Sequence, residues 1–256
     1  MTKRGARLQL GPEARPGFNA SNTDDGGRSA GSTDARHVRR PFGDEFVGLA
    51  FDPVVAQPLT AANPSPSPWT SDELHAYLFQ GISRFHGTPA GPMSPAAHSL
   101  FAVPQGDQDA LVRYIASIGG GDARARSAAA ANGLALQINA TSAGRQTDPD
   151  ARFYVAACAS CHYNGAGAIN PARPDLTLNS AVHLSTPDNL IRVILFGIDT
   201  PEGAPGLVIP AFGKGFSDAD VARLAAYLRR TRTDQPPWPN VQKTVAALRA
   251  QGKGVE

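Results

Sequence analysis

Asp150-Ala151-Arg152-Phe153-Tyr154-Val155-Ala156-Ala157-Cys158-Ala159-Ser160-Cys161-His162 is the segment that gives most away about this chain. Its first eight residues form an alanine-rich run with apolar side chains at helical spacing, so a helix is expected to lead into the cysteines. The last five place two thiols one helical turn apart, with an imidazole beside the second. Two thiols so spaced can each add to a vinyl group of one porphyrin, and the imidazole then lies under its iron. C-x-x-C-H is for this reason the attachment pattern of c-type haem. A thioredoxin-like dithiol would need a preceding strand in a βαβ setting, and a zinc site two further ligands at close spacing. The sequence offers neither. Cys158 and Cys161 are the only cysteines in the 256 residues. The expectation is one covalent haem c with thioethers at Cys158 and Cys161 and His162 as the proximal axial ligand of the iron.

The composition agrees with a helical protein carrying much irregular backbone: 41% apolar, 18% charged and 7% aromatic residues, with 26 Gly and 22 Pro. A net charge of +2 and a pI near 8.7 favour no polyanionic partner. No Lys/Arg block interleaved with aromatics points to nucleic acid. The best apolar run, Leu190 to Ile198, is short and contains Arg192, so no transmembrane segment is expected and membrane association would come only through partners. Residues 1–45 are rich in Gly, Ser, Asp and Arg with no apolar core of a signal peptide, and read as a disordered or anomalous segment. That sits awkwardly with haem c, which bacteria attach outside the cytoplasm. A periplasmic location is expected nonetheless.

Laid against itself, the chain repeats. Thr70 to Gln80 reads as a helix, with Thr70 and Glu73 at capping-box spacing, an apolar stripe of Leu74, Tyr77 and Leu78, and a stop at Gly81. Pro187 to Phe196 reads as another, capped by Thr186 with proline at the first helical position and stopped at Gly197. Phe196 lies 116 residues after Gln80. Each helix is followed by a Gly/Pro-rich loop and a second helix, Asp107 to Ile118 and Asp218 to Arg230. These carry Leu111, Tyr114 and Ile115, and Leu224, Tyr227 and Leu228, at similar positions. The same offset sets Met93 of Gly91-Pro92-Met93 against Ile209, and Cys158, Cys161 and His162 against Phe42, Glu45 and Phe46. One copy thus keeps a methionine without attachment cysteines, and the other the reverse.

The order of helix, C-x-x-C-H, Pro-rich loop, helix, glycine, Pro-containing distal loop and terminal helix resembles class I cytochrome c. Cys158 through Ala166, with Ile209-Pro210-Ala211-Phe212-Gly213, is similar to the last haem domain of the multihaem cytochrome c subunits of membrane-bound bacterial dehydrogenases. Trp69-Thr70 through His86-Gly87 to Met93 is similar to the back half of the preceding domain. The resemblance covers roughly residues 47–118 and 148–232. It implies an all-α fold of tandem cytochrome c-like modules, the first lacking its haem-attachment segment. The expected organisation is an N-terminal segment 1–45, a degenerate module 46–118, a linker 119–147 with a connecting helix in Ala123 to Leu136, a haem domain 148–232, and a tail 233–256 with an Asn240-capped helix.

The resemblance further implies one-electron transfer as the non-catalytic subunit of a periplasmic oxidoreductase, between a dehydrogenase catalytic subunit and a respiratory electron acceptor. No constellation of acid, base or nucleophile suggests a reaction of the chain's own. The family has methionine where this chain has Ile209, which has no lone pair to offer iron. The sixth ligand is therefore open, with His183, Lys214, Met93, water or an empty position as the choices. Trp69, Phe153, Tyr154, Phe212 and Tyr227 read as core and haem-packing residues, and His75, His86 and His98 as exposed or structural. Two other functions stay in play: a five-coordinate haem serving as small-ligand sensor or weak peroxidase, and a truncated remnant of a three-haem subunit.

Overall fold

The computed structural model describes residues 50–51, 54–60, 62–120, 133, 148–162, 173, 175–199 and 207–252. The N-terminal segment, nearly all of the Ala123 to Leu136 stretch and the residues following His162 lie outside them. All the described residues belong to one compact unit, Ala35–Glu256. They include nine helices and one small two-stranded hairpin, β1 (Ala50–Phe51) paired antiparallel with β2 (Val54–Val55). Among the described residues no helix is long and apolar enough to cross a membrane.

In the first half, α1 (Ser71–Gln80) begins where expected: the Thr70 hydroxyl accepts from the Glu73 amide at 3.2 Å. It stops at Gly81, whose φ of 77° is the left-handed conformation that glycine adopts without steric cost. The capping box is only half made. Instead of returning to Thr70, the Glu73 carboxylate accepts from the Ser83 hydroxyl and, at 3.1 Å, from the Phe85 amide. The loop after α1 folds back over the start of the helix and takes up that carboxylate.

The expected Gly/Pro-rich loop contains a further helix, α2 (Met93–Leu100), so Met93 occupies a first helical turn and not a loop. Two residues on, Pro95 still lies within that turn, where its missing N–H costs nothing. α3 (Gln105–Ile118) packs on α1, and Leu74, Leu78, Phe79, Val112 and Ala116 make a small core.

The second half has the larger core. α4 (Pro149–Ala157) starts at Asp148, whose carboxylate accepts from the Asp150 amide at 2.9 Å with proline at N1. α5 (Ala159–His162) and α6 (Ser180–His183) are single turns. α7 (Asp188–Phe196) starts one residue later than expected, with Pro187 at the N-cap and no side-chain capping bond, so Thr186 does not cap it. α8 (Asp218–Arg232) has a full capping box between Ser217 and Asp220, not anticipated from the sequence, and runs two residues further than expected. α9 (Val241–Gln251) follows Asn240, which adopts φ 52° and makes no side-chain cap. Ala151, Tyr154, Val182, Ile191, Leu195, Val221, Leu224, Leu228 and Val245 interlock across α4, α6, α7, α8 and α9.

Two devices hold the tail. The Arg229 guanidinium, 3% exposed, donates to the carbonyls of Val182 (2.6 Å), Leu184 (3.0 Å) and Pro236 (2.8 Å). It lies 4.4 Å over the Trp238 ring, whose Nε1–H also donates to Leu184. Arg249 of α9 donates to Asp218, to the Phe216 carbonyl at 2.8 Å and to the Gly213 carbonyl. The two halves meet along β2. The Asn189 amide of α7 stands in for a neighbouring strand, accepting from Val55 N at 2.9 Å and donating to Val55 O at 2.8 Å. Gln57 donates to the Ser180 hydroxyl beside it.

Candidate functional site

The thiols stand where α4 gives way to α5. Cys158 caps α4 with its amide on the Tyr154 carbonyl at 2.8 Å, and its own carbonyl accepts from Cys161 N (3.1 Å) and His162 N (2.9 Å). Cys158, Cys161 and His162 therefore share one turn. Cys161 is exposed and Cys158 half-buried. Burial, and then the neighbouring Cys161 sulfur, push the Cys158 thiol up to about 11, so at neutral pH it is a thiol.

Tyr154, one turn before Cys158, anchors the helix. Its ring packs 5.4 Å from Tyr227 of α8, and Arg232 lies 5.2 Å over it. Burial raises its phenol to about 12 against the opposing Arg232 charge, and its hydroxyl lies 3.4 Å from the His162 carbonyl as donor. Two ion pairs, Arg223 to Asp150 at 2.9 Å and Arg230 to Asp148 at 2.8 Å, fasten the start of α4 to α8.

The segment 207–216 reaches α4 at its far end, where Phe216 meets Phe153. Its backbone pairs with the end of α7 through reciprocal 2.9 Å bonds between Ile198 and Ile209. Gly197, with φ 70° and ψ −168°, has no room for a side chain: a Cβ there would run into the Ile209 carbonyl and come within 2.8 Å of Ala211 N. Phe212 stacks on Phe216 at 5.0 Å, and Phe216 meets Phe153 of α4 at 5.1 Å. Phe153, Cys158, Ala159, Ile194, Phe196 and Phe216 are apolar residues only partly covered by the core they pack against. Two thiols and an imidazole on one turn, bordered by partly covered apolar rings, are the donor set and surface that suit a covalently held haem.

The candidates for a sixth ligand stand on three separate elements. His183 is 9% exposed, at the end of α6 and not on a surface loop, with Nε2 bonded to the Thr177 carbonyl at 2.8 Å. Burial lowers its pKa, so the ring is neutral and donates through Nε2. Met93 is 42% exposed on α2, which packs against α1. Lys214 is exposed in the turn between Gly213 and Gly215. The reading of His86 as exposed or structural resolves to structural: it stacks on Trp69 at 3.6 Å, its Nε2 buried without a partner.

A helix-rich chain with a C-x-x-C-H turn and a Pro-containing loop that reaches the helix before it defines a haem-binding electron carrier of the c type. The family described as cytochrome c oxidase, cbb3-type, subunit III matches residues 145–228. Cytochrome c6 of Picosynechococcus is 32% identical over 30% of this chain and 67% of its own. A subunit of the nicotinate dehydrogenase of Pseudomonas putida is 37% identical over 80% of this chain and 17% of its own length. The fructose dehydrogenase cytochrome subunit of Gluconobacter japonicus is 31% identical over 73% of this chain and 42% of its own. The chain belongs to the cytochrome c family, and its cofactor is haem c. It spans well under half the length of the dehydrogenase subunits it matches.

Proposed function

We propose that this chain carries single electrons through one haem c, held by thioethers to Cys158 and Cys161 with His162 on the iron, as the cytochrome part of a dehydrogenase. The observation that carries the reading is the shared turn of Cys158, Cys161 and His162 at the end of a helix tied to α8 by Tyr154 and two ion pairs. When bound, the haem supplies a reversible one-electron couple. The chain's own residues fix its position. The α4–α8 contact holds the attaching turn, and the Phe153, Phe212 and Phe216 rings would offer the group apolar surface.

The first half reads as a second cytochrome c-like module without attachment cysteines. In its support, α1 packs on α3 as α7 packs on α8, and each leading helix ends at a positive-φ glycine, Gly81 at 77° and Gly197 at 70°. Tyr227 is covered by Tyr154 and 4% exposed, whereas Tyr114, at a similar place on α3, is 53% exposed.

Dehydrogenase relatives favour a catalytic subunit as electron donor and a respiratory carrier as acceptor, in the periplasm, with any membrane contact made through partners. The test is expression with a signal peptide and haem-maturation machinery, followed by the pyridine haemochrome and peptide mass of the purified protein. One haem on the peptide containing Cys158 and Cys161 is expected. No covalent haem, or haem retained by the C158A/C161A double variant, would refute the assignment.

A further inference from the structure

Residues 54–60 precede α1 in the chain, yet their polar contacts run to the second half. Val55 gives its N–H and its carbonyl to the one amide of Asn189, in the first turn of α7. Two residues on, the Gln57 amide donates to the hydroxyl of Ser180, the first residue of α6. Further along, the Ser65 hydroxyl, in a residue 7% exposed, lies 3.5 Å from the carbonyl of the buried Leu178.

The same stretch also touches the first half. A Cβ on Gly91, just before α2, would lie 3.8 Å from the Val54 Cγ2, and one on Gly119, at the end of α3, would lie 3.2 Å from the Leu59 carbonyl. Asn63 stiffens the chain between these contacts, donating to the Pro58 carbonyl at 2.8 Å and accepting from the Ser65 amide at 2.9 Å. The first half thus holds one side of the stretch by close backbone approach, and the second half holds the other by hydrogen bonds.

Asn189 reads Val55 as a neighbouring strand would, with one acceptor and one donor set for a residue's N–H and C=O. The corner of α6 and α7 therefore fits an extended segment that offers both backbone groups of one residue and an amide side chain two residues on. Val55 and Gln57 supply them.

We propose that residues 54–60 form a strap whose binding site is the Ser180–Asn189 corner of the second half, and that the first half stays bound through it when the chain between the halves is cut. The association needs no haem, so this inference and the haem assignment stand or fall separately.

The test places a protease site in the stretch 123–136, outside the described residues, and nicks the purified full chain there. The dissociation constant of the two pieces is then read from gel filtration on serial dilution. Wild-type pieces should elute together and part only on dilution. N189A/S180A removes all three strap bonds and should raise the dissociation constant on the order of a hundredfold. Alanine suits both positions, each in the first turn of its helix, so α6 and α7 should persist.

N189D guards against damage to α7. A carboxylate is favoured in a first helical turn and still accepts from Val55 N, but it cannot donate to the Val55 carbonyl, so binding should weaken while α7 is supported. Wild-type pieces that elute apart at every concentration would overturn the strap. A dissociation constant for N189A/S180A within about threefold of wild type would overturn its binding site. Wild-type affinity in N189D would overturn the role given to the Asn189 amide.

Discussion

His86 makes the fold acid-sensitive, and by an amount that can be worked out. Its ring lies flat on Trp69, 16° from parallel, with Nε2 buried and unpartnered. Burial lowers its pKa to about 4, offset slightly by a hydrogen bond to the Pro68 carbonyl. A histidine whose folded pKa is depressed resists protonation in the native state while the unfolded chain takes up the proton near pH 6.5. Stability from this group is therefore full above about pH 6.5, falls as the pH drops, and is wholly lost below the folded value. Between pH 7 and 4.5 the linkage amounts to about 2 kcal/mol.

His86→Phe keeps a flat ring against Trp69 and removes the proton. It costs about 1 kcal/mol at every pH for the lost Pro68 bond. Urea unfolding followed by helical circular dichroism at the two pH values gives the comparison. With a slope of about 2 kcal/mol/M, the wild-type midpoint should fall about 1 M further than the variant's. The other titrating groups are common to both proteins and cancel. Equal falls in the two midpoints would refute the burial of a neutral His86.

The remaining predictions concern the second half. Gly197→Ala forces a Cβ into the Ile209 carbonyl at a φ/ψ that only glycine adopts readily, so stability should drop by about 3 kcal/mol or more and the Ile198–Ile209 pairing should loosen, read by hydrogen exchange of those two amides. Wild-type exchange rates in the variant would refute the close approach. Arg229→Leu removes three charge-assisted bonds and leaves the Val182 and Pro236 carbonyls short of a donor, at a cost of about 3 kcal/mol, and should make the tail after Arg232 the first site of proteolysis. Arg229→Lys should fall between, since a single ammonium cannot span all three carbonyls.

The residues that could be read in advance were those whose job is local. The turn from Cys158 to His162, the Thr70 cap, the Gly81 stop and the apolar stripe of α1 all act within a few positions of themselves, so spacing alone places them. Glu73 shows where this fails. Its spacing from Thr70 is that of a capping box, but a loop ten residues on offered Ser83 and Phe85 as donors, and the carboxylate went there. The same competition hid α2, because a stretch dense in Gly and Pro reads as loop unless its proline is seen to fall in a first turn.

Burial of polar residues was the least visible feature, and the reason is physical. Arg229 lies in the run Arg229-Arg230-Thr231-Arg232 and looks like part of a solvated face, yet its guanidinium serves three carbonyls contributed by α6, the residue after it and the tail. Asn189 looks like an ordinary first-turn residue, yet its amide completes a strand more than a hundred positions away. Such roles are fixed by which backbone groups the fold leaves without partners, and that is known only once the chain is folded. The same holds for His183. Sequence makes it a candidate ligand because imidazole can bind iron; the fold adds that its Nε2 donates to the Thr177 carbonyl, a partner that no spacing rule could have named.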